Sequence, residues 1–455
     1  MKPVSTILLC SGVWISASLS AQDTRTVVEP VIPPSCATLE ARLIAQGDIL
    51  AAADESRLDT ERIQQAIDAC PPKHAVELRT HEGMNAFLSG ALTLRQGVTL
   101  LIDKGTTLFE TLDPSVLEIS PGSCGVVNTV PGRGCKPLIT IDNVSGAGVM
   151  GDGVIDGRGG QKLLGRDVSA WNLAEQARAG GNQKVSRLIV ANHADDFTLY
   201  RITLRNSPNF HVVYNAGDGF TVWGLKIDTP GKLARNTDGV DPGGGSKNIT
   251  VTHSYISTGD DDIAIKGGTG GLTNMTVSHN HFYRGHGMSI GSETNGGVSK
   301  VRVFDLSLDG PDNGIRIKSN PARGGLVHDV SYDDVCIRNS PNPIQFDMAY
   351  SANGSMEGTL FPSFVDITLH NVRVSGGGKI TFSGFSDKYR VGTHLDSVVL
   401  TDAPTQYKYQ IKHADFQLGP GAVNLSLKGD DTRVTGAAGQ GTAMSCAEKF
   451  LPFPR

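Results

Sequence analysis

Four polar clusters recur beside successive apolar runs in the second half of this 455-residue chain: Asn236-Thr237-Asp238, Asp260-Asp261-Asp262, Gly285-His286-Gly287 and Arg316-Ile317-Lys318. Carboxylates and an imidazole provide acid and base, and paired cations grip a carboxylate, so together they describe an active site for an acidic sugar. A repeat must position them. The runs Val240, Ile263-Ala264-Ile265, Met288-Ser289-Ile290, Ile315-Arg316-Ile317 and Ile344-Gln345-Phe346 superpose at the spacing of a stacked solenoid. Two places before the first apolar residue of the first four runs stand Asp238, Asp261, His286 and Asn313. If the rungs are parallel strands, these residues form a ladder with a rise of roughly 4.8 Å. Asp238 and Asp261 could then share one water, with His286 one rung beyond. Arg316 falls in the column of Ala264, Ser289 and Gln345, with Lys318 two places on, so both cations are expected on the outer surface of the rungs.

Composition agrees with a solenoid. Glycine supplies 55 of 455 residues, above the usual ~7%, and separates short Val/Ile/Thr-rich runs. Lys2, the apolar stretch from Val4 to Leu19 and the small residues Ser18, Ser20 and Ala21 read as a signal peptide over residues 1–21. The run is short for a membrane span, and Cys10 lies inside it rather than at its end, which argues against an anchor and a lipoprotein signal. Export to the periplasm or medium is the expectation. Without Lys2 the charge is near −6 (40 − 46). An acidic chain does not attract nucleic acid in bulk, so a polyanion must be held by local cations; Arg284, Lys300, Arg302, Arg316, Lys318 and Arg323 are clustered enough to serve. Six cysteines remain, and sequence proximity suggests Cys36 with Cys70, Cys124 with Cys135, and Cys336 with Cys446.

Residues 56–70 carry apolar side chains at 58, 63, 66 and 67, a helical pattern from Ile63 onward that could cap one end of the solenoid. Strand-like text then runs from about Ala75 to Phe416, interrupted at 161–182 by a polar stretch expected as a loop over the cleft. The organisation expected is a signal peptide (1–21), an N-terminal segment with the capping helix (22–74) and a catalytic β-helix (75–455). Two other motifs are set aside. Gly146-Ala-Gly148-Val-Met-Gly151 has the glycine spacing of dinucleotide binding, but turn and strand follow it instead of a helix. His279 and His281 sit one strand before His286, so their sequence proximity does not make a metal site.

With these residues in hand, the chain resembles the polygalacturonases of glycoside hydrolase family 28, and among them the bacterial endo-acting members. The resemblance runs from about Leu78 to Tyr350 and includes Gly151-Asp-Gly-Val-Ile-Asp-Gly157, Asn206-Ser-Pro208, Asn236-Thr-Asp238, Gly259-Asp-Asp261, Gly285-His-Gly-Met-Ser-Ile-Gly-Ser-Glu293 and Arg316-Ile-Lys318. It implies an all-β, right-handed parallel β-helix and metal-free, cofactor-free hydrolysis of α-1,4-galacturonan with inversion. It further implies Asp260 as general acid, Asp238 and Asp261 as the pair that activates water, and His286 as support for the acid. Arg316, Lys318, Asn236 and Tyr350 are implied as substrate binders. Asp262 departs from the family pattern, which often has an uncharged residue there. Strand alternation would separate Asp260 from Asp261, so both reach a cleft only if the chain bends.

Rival readings are an exo-acting enzyme, a calcium-dependent pectate lyase and a non-catalytic polysaccharide-binding solenoid. The ladder with its histidine and Arg-Ile-Lys pair fits hydrolysis better than lyase chemistry, and a binding surface has no use for acid, base and cations in register. A monomer acting on a polyanionic polysaccharide, without nucleic-acid or membrane partners, is the expectation.

Overall fold

The computed structural model describes residues 22–351, 356–441 and 444–454; the expected signal peptide, residues 1–21, lies outside them. Thirty strands form one continuous sheet in which each coil pairs in parallel with the coils before and after it. The result is a right-handed parallel β-helix, the hand in which parallel crossover connections pack. Val240 pairs with Ile263, Ile263 with Met288, Met288 with Ile315, and Ile315 with Ile344. The register read from the sequence is thus the register of the fold. These residues point inward and are fully buried, because burial of one side of a strand fixes its register.

One large apolar core fills the coil from Ala41 to Leu425, with two small clusters beside it near the N-terminal end. Aromatic rings stack within it at the C-terminal end, Phe346 on Phe382 (5.3 Å) and Phe382 on Phe416 (5.1 Å), each edge to face. The expected helix is present as Thr60–Ala69, and it seats Ile63 and Ile67 against the first rungs. The first rung also draws the strand Ser35–Glu40 from the N-terminal segment, paired with His74–Arg79. At the far end the last strand, Asp430–Gly436, pairs with Tyr407–Leu418 and leaves its other edge exposed. The three disulfides join the cysteines that proximity suggested. Cys336–Cys446 ties the tail to the coil, where Lys449 binds Asp305 and Asp334.

The 161–182 interruption contains the helix Ala170–Gln176, capped by Ser169. It leads into Asn182–Lys184, which pairs antiparallel with Val126–Asn128. That strip stands beside the rungs just before Asp238. Phe382→Ala, which empties a site between two stacked rings, is expected to cost about 3–5 kcal/mol. Denaturant unfolding with an unchanged midpoint would contradict this packing.

Candidate active site

Asp260 and Asp261 precede the strand Ile263–Ile265 in a bend, so alternation does not apply to them. Asp260 faces the cleft, and its Oδ1 lies 3.1 Å from His286 Nδ1. Asp261 is only 1% exposed. Lys318 Nζ donates to both of its oxygens (2.7 and 3.1 Å), Arg316 donates at 3.3 Å and Ser289 Oγ at 2.7 Å. Asp262 turns inward and accepts from Thr258 Oγ1 (3.0 Å) and the Gly287 amide (3.1 Å). The third aspartate therefore shapes the bend, a role the sequence pattern left open. Gly287 must be glycine here, because at its φ of +66° a Cβ would fall 2.1 Å from the Asn313 carbonyl oxygen.

Arg316 and Lys318 lie on the outer face, as expected, but they are not free. Each is 5% exposed. Arg316 also donates to Gln345 (3.0 Å), and the Tyr350 ring lies 5.0 Å from its guanidinium and 5.4 Å from the Lys318 ammonium. Asp238 sits on the preceding rung, 4% exposed. Thr237 sets its height: its hydroxyl donates to the Ala234 carbonyl and accepts from the Gly259 amide (3.0 Å). His211 supports the Asp238 backbone through Nδ1 (3.0 Å). Burial, outweighing its hydrogen bonds, lowers the His211 pKa to about 4, so it stays neutral. Asn236 is half-buried in a left-handed conformation (φ 56°), next to the cluster along the chain.

Two further residues belong to the cluster that the repeat alignment did not single out. Asp241 is 2% exposed with both carboxylate oxygens unpartnered. Lys266 Nζ lies 3.6 Å from Asp238, 3.9 Å from Asp261 and 3.9 Å from Glu293. The signal was available: Asp241 is in the column of Arg316, and Lys266 in that of Lys318.

The carboxyls divide by their neighbours. Burial, reinforced by Asp241 and Asp260, raises Asp238 well above the usual range despite Lys266. Burial raises Asp262 likewise and pushes Asp241 up to about 7, against the pull of Lys266. Burial also opposes ionisation of Asp261, but Lys318, Arg316 and Lys266 overcome it and hold the group well below normal. Asp260 is lowered too: the His286 hydrogen bond and charge outweigh its desolvation. His286 is raised, its burial outweighed by Asp260. A general acid must hold a proton, whereas in the free site the raised carboxyls of the cluster are Asp238, Asp241 and Asp262.

Ligating atoms of Asp260, Asp261 and His286 lie within 4.8 Å of one another, a spacing that could hold a cation. A divalent ion there would meet Lys318 and Arg316, which already compensate Asp261.

Asp241 gives a pH-dependent test. Its folded pKa is raised, so the stability it contributes is complete below about pH 4 and is lost as pH rises through about 7. Asp241→Asn should therefore raise the melting temperature at pH 8 and change it little at pH 4. Equal shifts at both pH values would contradict the assignment.

Comparison with known proteins agrees with this geometry. The model of glycosyl hydrolases family 28 matches residues 86–416. An endo-polygalacturonase of Pectobacterium carotovorum subsp. carotovorum is 43% identical over 88% of this chain and 94% of its own length. A polygalacturonase of Ralstonia nicotianae is 36% identical over 98% and 96%. The solved polygalacturonase from Erwinia carotovora ssp. carotovora superposes with a TM-score of 0.80 at 42% identity, covering 87% of this chain and 99% of that one. A family match across most of the coil, together with relatives aligned along nearly their whole length, makes this chain a member of glycosyl hydrolases family 28.

Proposed function

We propose that this chain is an endo-polygalacturonase that hydrolyses α-1,4-linked galacturonan. One observation carries the reading: Asp238 and Asp261 stand on adjacent rungs beside Asp260, whose carboxylate meets His286, while Arg316 and Lys318 reach the same cluster from two rungs further along. Inverting hydrolysis needs a proton donor and a carboxylate about 6.5–9.5 Å apart, with water between the base and the sugar.

Asp260 is the general acid, positioned by His286, and Asp238 with Asp261 orients the water. The free site is poised for redistribution, since protons in such a cluster belong to the group. Asp260 is kept ionised by His286 and, at longer range, Lys318. A uronate carboxylate entering against Lys318 and Arg316 neutralises that charge and desolvates Asp260, raising it toward protonation. The proton comes from the cluster, which leaves Asp238 ionised to accept one from water. Arg316, Lys318 and Tyr350 then bind the sugar on which the leaving oxygen is protonated, with Asn236 on the water side. The substrate partner is an extended polyanion bound by a monomer. Three disulfides fit an exported enzyme, because such bonds persist in oxidising compartments.

The deciding experiment is the time course of products from polygalacturonate at mildly acidic pH with excess chelator. Saturated oligomers of mixed length should appear early. Monomer or dimer alone would indicate exo action; unsaturated products, or activity only when calcium is restored, would overturn hydrolysis. Asp260→Asn should lower kcat by about 10²–10⁴-fold, and near-normal turnover by that variant would remove Asp260 from the acid role.

A further inference from the structure

The strands that precede the rungs of the groove carry an outward column, His281, Ser307, Cys336 and Arg373, paired across successive rungs. Ser307, Cys336 and Arg373 face away from the core, yet each is at most 3% exposed. The C-terminal tail is fastened over them. Cys446 is bonded to Cys336, and Lys449 Nζ donates to Asp305 (2.5 Å) and Asp334 (2.9 Å). The Arg338 guanidinium lies 4.2 Å from the centre of the Phe450 ring. The Leu451 carbonyl accepts from the Tyr283 hydroxyl (2.9 Å), and the Phe453 ring meets Tyr283 edge on, 5.2 Å between centroids. The tail thus reaches back across three rungs to Tyr283, which stands three residues before His286.

The disulfide that fastens it has a cation at both sulfurs. Arg373 donates from Nη2 to Cys336 Sγ (3.0 Å) and from Nε to Cys446 Sγ (3.3 Å). Asp334 also takes Nη2 (2.5 Å), but Lys449 binds the same carboxylate and offsets its charge. Cys336 is sealed, whereas Cys446 is half-buried, so an incoming thiolate reaches Cys446 and the leaving sulfur is Cys336. Its developing negative charge meets the guanidinium, and a stabilised leaving thiolate speeds exchange. The other two bonds lack this arrangement. Cys70 caps the C-terminal end of Thr60–Ala69, where the helix dipole opposes a thiolate, and the Ala75 carbonyl oxygen lies 3.1 Å from Cys36 Sγ. Cys124 and Cys135 are 3% and 2% exposed, closed to a nucleophile.

We propose that Cys336–Cys446 is a site of reversible thiol exchange with a dithiol reductant, and that opening it releases the C-terminal tail from the turn that carries His286. One reductant thiolate attacks Cys446 Sγ, the S–S bond breaks, and its electron pair leaves on Cys336 Sγ. The second reductant thiolate attacks the reductant sulfur of the mixed disulfide and expels Cys446. The two protons of the dithiol pass to the two cysteines, so the protein gains two thiols and the reductant becomes a disulfide. Tyr283 then loses its carbonyl partner and its ring contact. The turn beyond it holds the His286 amide on the Asp260 carbonyl (2.7 Å) and the His286 ring on the Asp260 carboxylate (3.1 Å). The tail therefore braces the acid side of the site from outside the groove, with Tyr283 as a positioning residue. The effect on turnover rests on the galacturonan reading above; the exchange itself does not.

The test is a titration of the folded enzyme with dithiothreitol, quenched with iodoacetamide. Peptide mass spectrometry reads each cysteine, and turnover of polygalacturonate is measured in parallel. Cys336 and Cys446 should be alkylated at least about tenfold faster than the other four, and Arg373→Gln should slow them by about tenfold, the worth of one charge-assisted hydrogen bond to the leaving sulfur. Arg373→Lys should fall between. As the bond opens, kcat should drop several-fold with KM unchanged, and reoxidation should restore it. The alkaline limb of the kcat profile should shift to lower pH, because His286 keeps its proton through Asp260. Tyr283→Phe, which leaves the disulfide intact, should show part of the same change. Reduction of all three bonds together, or of Cys36–Cys70 first, would overturn the exchange site, and selective opening with unchanged kcat would overturn the brace. A wild type inactive on polygalacturonate before any reductant is added would instead overturn the functional reading, with the order of alkylation still deciding the exchange.

Discussion

Keeping Asp261 ionised while it is almost fully buried is the constraint on which the site depends. A lone buried carboxylate would take up a proton. Asp261 does not, because Arg316 and Lys318 reach it from a strand two rungs further along, 55 and 57 residues away in sequence. That reach exists only if the intervening rungs stack in register. A one-residue slip would turn Arg316 into the core and place Ile315 or Ile317 on the cleft face. The apolar column inside the coil is therefore also what aims the charges outside it.

A second consequence is an electrostatic gradient along the groove. Asp238 and Asp241 share low polarity with Asp261 but face Lys266 and the more distant Arg187 without a hydrogen-bonded cation, so similar burial yields opposite outcomes. Distance to a fixed cation, rather than exposure, separates the carboxyls. Lys266, central to four acidic groups, couples them electrostatically.

Much of this was legible in the sequence because the signals were periodic. The runs at Ile263, Met288, Ile315 and Ile344 gave the register, and the alignment of Asp238, Asp261 and His286 followed from it. The capping helix showed itself through Ile63, Ala66 and Ile67. Other features needed more than the period. Asp241 stands in the column of Arg316, yet it reads as an ordinary strand residue until its burial without a partner is known. The direction of Asp262 depends on a bend that no alternation rule describes. The protonation of Asp260 depends on how closely His286 Nδ1 approaches, a distance no spacing encodes.

The two ends of the coil are unlike, and this bears on self-association. A stack of parallel strands is a template that another copy could extend, end upon end, into a fibre. The helix Thr60–Ala69 covers one end of the core with a partly polar body, beside the edge strand Ser35–Glu40, which pairs on one side with His74–Arg79 and ends in Glu40. The opposite end keeps an open edge, Asp430–Gly436, but it bears Asp430, Asp431 and Arg433 and presents little apolar surface. Head-to-tail growth would set Ser35–Glu40 of one copy against Asp430–Gly436 of another, where Glu40, Asp430 and Asp431 place like charges at the joint. Charge at the two strand edges thus adds to the cap in guarding a long, strand-rich chain against polymerisation.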